Sequence, residues 1–344
     1  MKTGIRASMA FFALLAATSA MAQGIKWHPG HYATLAGGDS LAQHLAQIDE
    51  LGAEPAIKGV QVRIWWHQLE PYKGVYNFSL IDTYLNRLKA QPTTKRLVVR
   101  IMDRRFNTLS QLRIVPDYLR FDSLYNGGVV QTSTGYAARL WEPAVMNRLI
   151  ALYQAIGRRY DAEARFEGIA SEETTLSLAV FPAGYSHAAL KEQYCRLMHA
   201  VRAAMPSTNF FLYTNWIGSA DLMSSLIQDL TAPAVAASGP DVIPNAMTLG
   251  QKVWTGVYGA DYRGTLALAS SVETGELGGD LGDYTPQQIN SFAYNTLHLN
   301  HIFWIRNTWA GDPSQRWHTG ILPFLRTWPP FRSRCPSSYG VCVK

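Results

Sequence analysis

The sequence predicts a single-domain (β/α)8 barrel, an α/β fold of eight parallel strands alternating with helices. Three observations lead there. Eight short apolar or β-branched runs recur along the chain, mostly separated by stretches with helical spacing. No Gly-rich phosphate loop follows an early strand, which disfavours a doubly wound open sheet. Two of the runs stop at glutamates, one at Glu172-Glu173 and one at Glu273. Parallel barrel strands open onto one face, so side chains at such stops converge.

The elements follow in order. The first strand is read in Lys26–Tyr32, and apolar spacing predicts a helix over Ser40–Leu51 that ends near Gly52. Gly59–Trp66 is β-rich, and Ser79–Leu88 has helical spacing with Ser79 as candidate N-cap. Arg96–Met102 is a buried-type strand, followed by a long loop from Arg104 to about Leu140, a length usually kept for function. Glu142–Tyr160 is helical, Phe166–Ser171 is the fourth strand and His187–Met205 is an amphipathic helix. Asn209–Thr214, Ala234–Ser238, Thr265–Val272 and His301–Arg306 are the last four strands, with a helix over Asp221–Leu230. Thr285 caps a helix that carries Pro286 at its first position, and Thr319–Leu325 forms a short last helix. The chain has no internal repeat and no low-complexity segment.

Composition narrows the class. With 47% hydrophobic and 16% charged residues the chain can build a large core, which excludes disorder. The net charge of +6 is scattered, with no Lys/Arg run interleaved with aromatics, so no nucleic-acid module is read and nucleic acid is not expected as a partner. The 10 Trp and 17 Tyr suit either an aromatic core or a groove that stacks on sugar rings. Residues 1–22 read as a cleaved leader: Lys2 and Arg6, an apolar stretch Met9–Ala17, then Ala20-Met21-Ala22 before Gln23. The expected mature chain, 23–344, is exported to a bacterial periplasm or medium, carries no membrane segment, and is a monomer. Cys335 and Cys342 flank a short loop and are expected to pair in that oxidising compartment. Cys195 reads as a buried free thiol, and no His/Cys spacing suggests a metal, so neither metal nor cofactor is expected.

The run from Trp66 to Asp82, WHQLEPYKGVYNFSLID, resembles a segment of the clan A (retaining, TIM-barrel) glycoside hydrolases that follows the second barrel strand and enters the second helix. The resemblance is to the superfamily and names no substrate. It implies an acid/base glutamate after the fourth strand and a nucleophile after the seventh. Glu173, or alternatively Glu172, fits the first and Glu273 the second; about three β/α units separate them. The clan's Asn before the acid/base residue is absent, since Ser171 and Glu172 precede Glu173.

Two carboxylates flanking a glycosidic bond are what such hydrolysis needs, one protonated by a semi-apolar setting and one ionised. Glu276 competes with Glu273 but reads as a solvated loop charge. Arg63 and Arg100 could hold the nucleophile or form a structural salt bridge. Trp65, Asn215, Trp216, Asp241, His301 and Trp304 stand at or near strand ends and are candidate substrate ligands. Trp304 resembles the clan's eighth-strand sugar platform, or else fills the barrel; His301 is a ligand or a structural His. Tyr258, with Trp254, is a candidate groove residue between the sixth and seventh strands. The resulting expectation is a secreted glycosidase acting on a polysaccharide or oligosaccharide. A carbohydrate-binding barrel without turnover is the alternative.

Overall fold

The computed structural model describes residues 24–106, 113–244, 262–306 and 316–344. Eight parallel strands close into a barrel. They are β1 (Gly30–Leu35), β2 (Ile57–Trp65), β3 (Arg96–Met102), β4 (Phe166–Ala170), β5 (Asn209–Tyr213), β6 (Ala236–Gly239), β7 (Leu268–Val272) and β8 (His301–Arg306). Each pairs with its sequence neighbours, and β8 closes on β1 through His301↔Gly30 to Arg306↔Leu35. The helices α1 (Leu41–Gly52), α2 (Ser79–Lys89), α3 (Pro143–Tyr160), α4 (His187–Ala204), α5 (Ala220–Asp229) and α6 (Pro286–Asn295) lie between them in sequence.

Local chemistry sets the boundaries. Ser40 and Thr285 close capping boxes with Gln43 and Gln288, and Pro286 opens α6 where a missing N–H costs nothing. Ser79 is the first residue of α2 rather than its cap; its N–H donates to Asn77 Oδ1 at 3.1 Å. The first barrel strand begins at Gly30, later than expected. Pro29 has no N–H to give a ladder, and the segment before it, Ile25–Lys26, pairs instead with Cys342–Val343. The Cys335–Cys342 disulfide forms, with Cα atoms 6.0 Å apart, and fixes that tail beneath the barrel. The long loop is not structureless: Arg104–Arg105, Val129–Gln131 and Tyr136–Ala138 make a three-stranded sheet over the mouth. The last helix is a π-turn, Trp317–Ile321, running into Leu322–Leu325.

The stretch WHQLEPYKG has a structural explanation. Glu70 is fully buried and accepts from Trp66 Nε1 and from Gly74 N, each at 2.9 Å, while Arg148 of α3 ion-pairs with it. Gly74 has φ +76°, a left-handed turn that brings its N–H back to the carboxylate. The motif therefore braces the β2–α2 connection to α3.

Strand alternation divides the core in two. Tyr32, Val98, Phe211, Tyr213 and Phe303 fill the lumen, while Val62, Ile101, Ile169 and Trp304 pack outward under the helices. At Glu167 the β3–β4 register shifts, a bulge that leaves this acid at the base of the lumen. There it accepts from His28 Nδ1 at 2.7 Å, from His28 N at 3.0 Å and from Asn209 Nδ2 at 3.0 Å. Burial opposes its charge, yet the hydrogen bond from His28 and the nearby His301 prevail and hold it down to about 2.

A stability prediction follows from that depressed value. The stabilisation is complete above the ordinary glutamate value of 4.5 and is lost as pH falls from there toward 2. The expected loss is on the order of 3 kcal/mol. Urea unfolding of wild type and Glu167→Gln between pH 5 and about pH 2 should show the extra slope in wild type only; parallel curves would refute it.

Candidate active site

The carboxyl ends of the strands carry a cluster of acids and guanidiniums. Arg100, on β3, is almost completely buried. Its guanidinium lies over the Tyr213 ring, 4.0 Å from the centroid. Glu172, just past β4, meets it side-on: Nη2 donates to Oε2 at 2.9 Å and Nε lies 2.8 Å from Oε1. Arg100 Nη1 also comes within 3.8 Å of Glu273 Oε1, the oxygen with which Arg63 of β2 ion-pairs. Arg63 and Arg100 thus both reach Glu273, which stands past the end of β7 with about a quarter of its side chain exposed (24%).

Glu173 points elsewhere than Glu172. Asn215, past β5, donates Nδ2 to its Oε2 at 2.6 Å. Burial raises its pKa; Arg104 pulls the other way and Glu172 adds to the rise. Asp241, past β6, is pushed up to about 7 by burial and by the charges of Glu173 and Glu273. Asp241, Glu173 and Glu273 all follow strands at the carboxyl end of the barrel. Asp103, past β3, is likewise raised to about 7, by burial first.

Glu276 corrects the sequence reading. It is not a solvated loop charge but fully buried. Its two oxygens accept from Val242 N at 2.8 Å and Glu273 N at 3.0 Å, so it ties the turn after β7 to the loop after β6. Burial, with Asp241 next, raises its pKa well above the usual range. The Gly-rich surroundings, Gly275 and Gly278-Gly279, masked a hairpin of Leu277–Gly279 with Gly282–Asp283 that covers it. Its spacing of three from Glu273 was the available signal. Beneath this layer Gln61 Nε2 donates to Tyr213 Oη at 2.9 Å, and Tyr213 Oη shares a hydrogen with Ser271 Oγ at 2.8 Å. None of these three polar groups stood out in sequence.

Two expected ligands are not at the mouth. Trp304 faces outward, fully buried against Phe324, with Nε1 donating to His31 Nδ1 at 3.0 Å. The period of two puts its neighbour Phe303 in the lumen instead, so Trp304 cannot be a sugar platform. His301 faces the lumen but starts β8, pairs with Gly30 at the start of β1, and lies 3.9 Å from Glu167. It belongs to the opposite end. Trp65 ends β2 half-buried under the Arg105 guanidinium, 5.3 Å from its ring. Trp216 lines a recess of about 280 Å³ beside Thr174, Tyr185 and His187. Tyr258 and Trp254 lie outside the described residues. Cys195 is half-buried, and burial together with its bond to Asp229 pushes its thiol up to about 11, unsuited to a nucleophile. Among the described residues no group of three or more His, Cys, Asp or Glu could hold a metal ion, and no helix is long and apolar enough to cross a membrane.

No protein-family model and no curated protein matches the sequence. Solved structures do match in shape. The β-amylase catalytic domain of Paenibacillus polymyxa superimposes with a TM-score of 0.65 at 10% identity, covering 89% of this chain and 100% of that one. The GH5_18 protein of Streptomyces cattleya, in complex with Manβ1-4GlcNAc, gives 0.57 at 10% identity over 88% and 81%. The β-galactosidase of Bacillus circulans gives 0.56 at 10% identity over 85% of this chain and 52% of that one. This chain therefore has the single-domain TIM-barrel fold.

Two outcomes test this geometry. Trp304→Phe removes a donor and leaves His31 Nδ1 unpartnered, so it should cost about 1–3 kcal/mol of stability while glycan binding is unchanged. Loss of binding at full stability would return Trp304 to the groove. Second, Arg104 holds the Glu173 pKa down, so Arg104→Ala should raise it further. Carboxyl ¹³C titration of both proteins reads the shift directly, and a downward move would contradict the placement of Arg104.

Proposed function

We propose that this protein hydrolyses glycosidic bonds of a polysaccharide or oligosaccharide by a retaining double displacement, with Glu273 as nucleophile and Glu173 as acid/base. The observation that carries the reading is the division of labour between Glu172 and Glu173. Arg100 meets both oxygens of Glu172, which is 1% exposed, so that acid is consumed as a counter-ion. Glu173 has no ion pair among the described residues, and its raised pKa is what a proton donor needs.

In the first step Glu173 protonates the leaving oxygen while Glu273 attacks the anomeric carbon, forming a glycosyl-enzyme. Arg63 and Arg100 both hold Oε1 of Glu273, leaving Oε2 to form the bond. In the second step Glu173, now anionic, takes a proton from water, which displaces Glu273 and restores both groups. Asn215 steadies Glu173 throughout, and Glu276 fixes the backbone of Glu273. The leaving group occupies the side of Trp216 and Tyr185, the recess next to Glu173. We place the protein outside the cytoplasm as a monomer, on the leader-like residues 1–22 and the disulfide. The reaction calls on no cofactor.

The test is a glycan panel assayed by reducing ends, with ¹H NMR of the first-formed anomer. Glu273→Ala and Glu173→Ala should each lose turnover by about 10³-fold or more while staying folded. Glu172→Ala should instead be destabilised by about 3–5 kcal/mol, since it strands the Arg100 charge. The first product should keep the anomeric configuration of the substrate. An inverted product, or an active Glu273→Ala, would overturn the mechanism; binding without turnover on every glycan would make the barrel a carbohydrate-binding protein.

A further inference from the structure

We propose that the amino end of the barrel holds a second binding site, for a carboxylated sugar unit. A cavity of about 380 Å³ opens there, within the size range of small-molecule sites. Lys58 and Arg96 line it, and no Asp or Glu side chain does. Glu167, the acid behind that wall, is sealed by His28 with no exposed surface. Arg96 Nε lies 3.9 Å from that acid and Nη1 donates to Ala164 O at 2.7 Å, so the guanidinium is fixed at the wall.

Three further features favour a sugar acid over a bare anion. First, Trp27, Pro29 and Phe331 make part of the wall apolar, a surface that a pyranose face can cover and a sulfate cannot. Second, His28 gives Nδ1 to Glu167 at 2.7 Å and leaves Nε2 buried at the wall without a partner. That atom accepts from a hydroxyl when the ring is neutral and donates to a carboxylate when it is protonated. Third, a recess of about 280 Å³ shares His28, Arg96 and Lys344 with the cavity and extends the surface beyond one ring; Lys26 on its wall is already engaged, its Nζ donating to Asp161 O and Glu163 O at 3.0 Å each. The Asp161 there is already engaged, its Oδ1 accepting from Ser207 N at 3.0 Å and Thr208 Oγ1 at 2.8 Å. The scattered excess of basic over acidic residues adds a general attraction for an acidic polymer. The site lies at the end of the barrel away from Glu173 and Glu273, so it stands whether or not those residues catalyse.

Calorimetric titration tests the proposal in a Glu273→Ala background, where turnover is removed. The probes are digalacturonate, the neutral disaccharide of matched linkage, and sodium sulfate. Digalacturonate should bind, and the other two should give no heat at the same concentration. Lys58→Met keeps the methylene stem that packs over Gly30 but removes the charge; it should weaken binding about tenfold or more, and Lys58→Arg should restore it. Should Lys58→Met melt differently from its parent, the parent itself still decides, since affinity must fall with added salt. No binding of digalacturonate, equal binding of sulfate or of the neutral sugar, or affinity indifferent to both Lys58 and salt would overturn the site.

Discussion

The mouth of this barrel depends on one buried cation. Arg100 lies in the lumen on the Tyr213 ring, where an unpaired charge would cost several kcal/mol. Burial works against its charge, but Glu172, Tyr213 and Glu273 together outweigh it and keep the guanidinium protonated. Glu172 must supply the first counter-charge, which explains why two glutamates follow β4 rather than one. Because Glu172 is committed, its neighbour Glu173 is turned away to Asn215 and is free to exchange a proton. The same cation touches Glu273, so the position of one guanidinium orients both sides of the cleft.

Carboxyls outnumber guanidiniums around the cleft. Glu172, Glu173, Glu273, Asp241, Glu276 and Asp103 face a cation set of Arg63, Arg100 and Arg104. Acids in excess of nearby cations, taken out of water, hold protons, and the groups farthest from a guanidinium hold them first. Asp241 and Glu276 are such groups, and their raised values have burial as first cause and neighbouring carboxylates next. Glu276 accepts one backbone N–H on each oxygen and so fixes the backbone of Glu273 against the loop after β6.

The architecture was legible because it rests on local signals. Arg96–Met102 and His301–Arg306 appear with the bounds expected, and Thr285-Pro286 starts its helix as its chemistry requires. Facing was harder. At His301 and Trp304 the sequence gives strand membership, but which face a residue takes depends on register against Gly30 and Ala33 of β1, a tertiary fact. A Trp near a strand end therefore looks the same whether it meets sugar or Phe324. Glu276 was hidden for a related reason: glycines mark a turn but do not say that the turn folds back over its own acid. The choice between Glu172 and Glu173 was open because adjacent residues differ only in the partner that claims them, and that partner, Arg100, lies 72 positions away.

A layer of rings separates the two charged ends of the barrel lumen. At the base Glu167 is ionised between His28 and His301; at the mouth carboxyls are in excess and carry protons. Between them sit Tyr32, Phe211 and Phe303, in mutual ring contact with His301 at 5.1 to 6.4 Å. Burial raises the Tyr32 pKa well beyond the ordinary phenol, so this middle layer stays neutral at any pH that the fold survives. Gly168 shows how tightly it is filled, since a Cβ there would come within 2.5 Å of the Phe211 ring. The two charged ends are therefore separated by packed rings rather than by solvent, and the charge at each end has to be balanced by the groups packed around it.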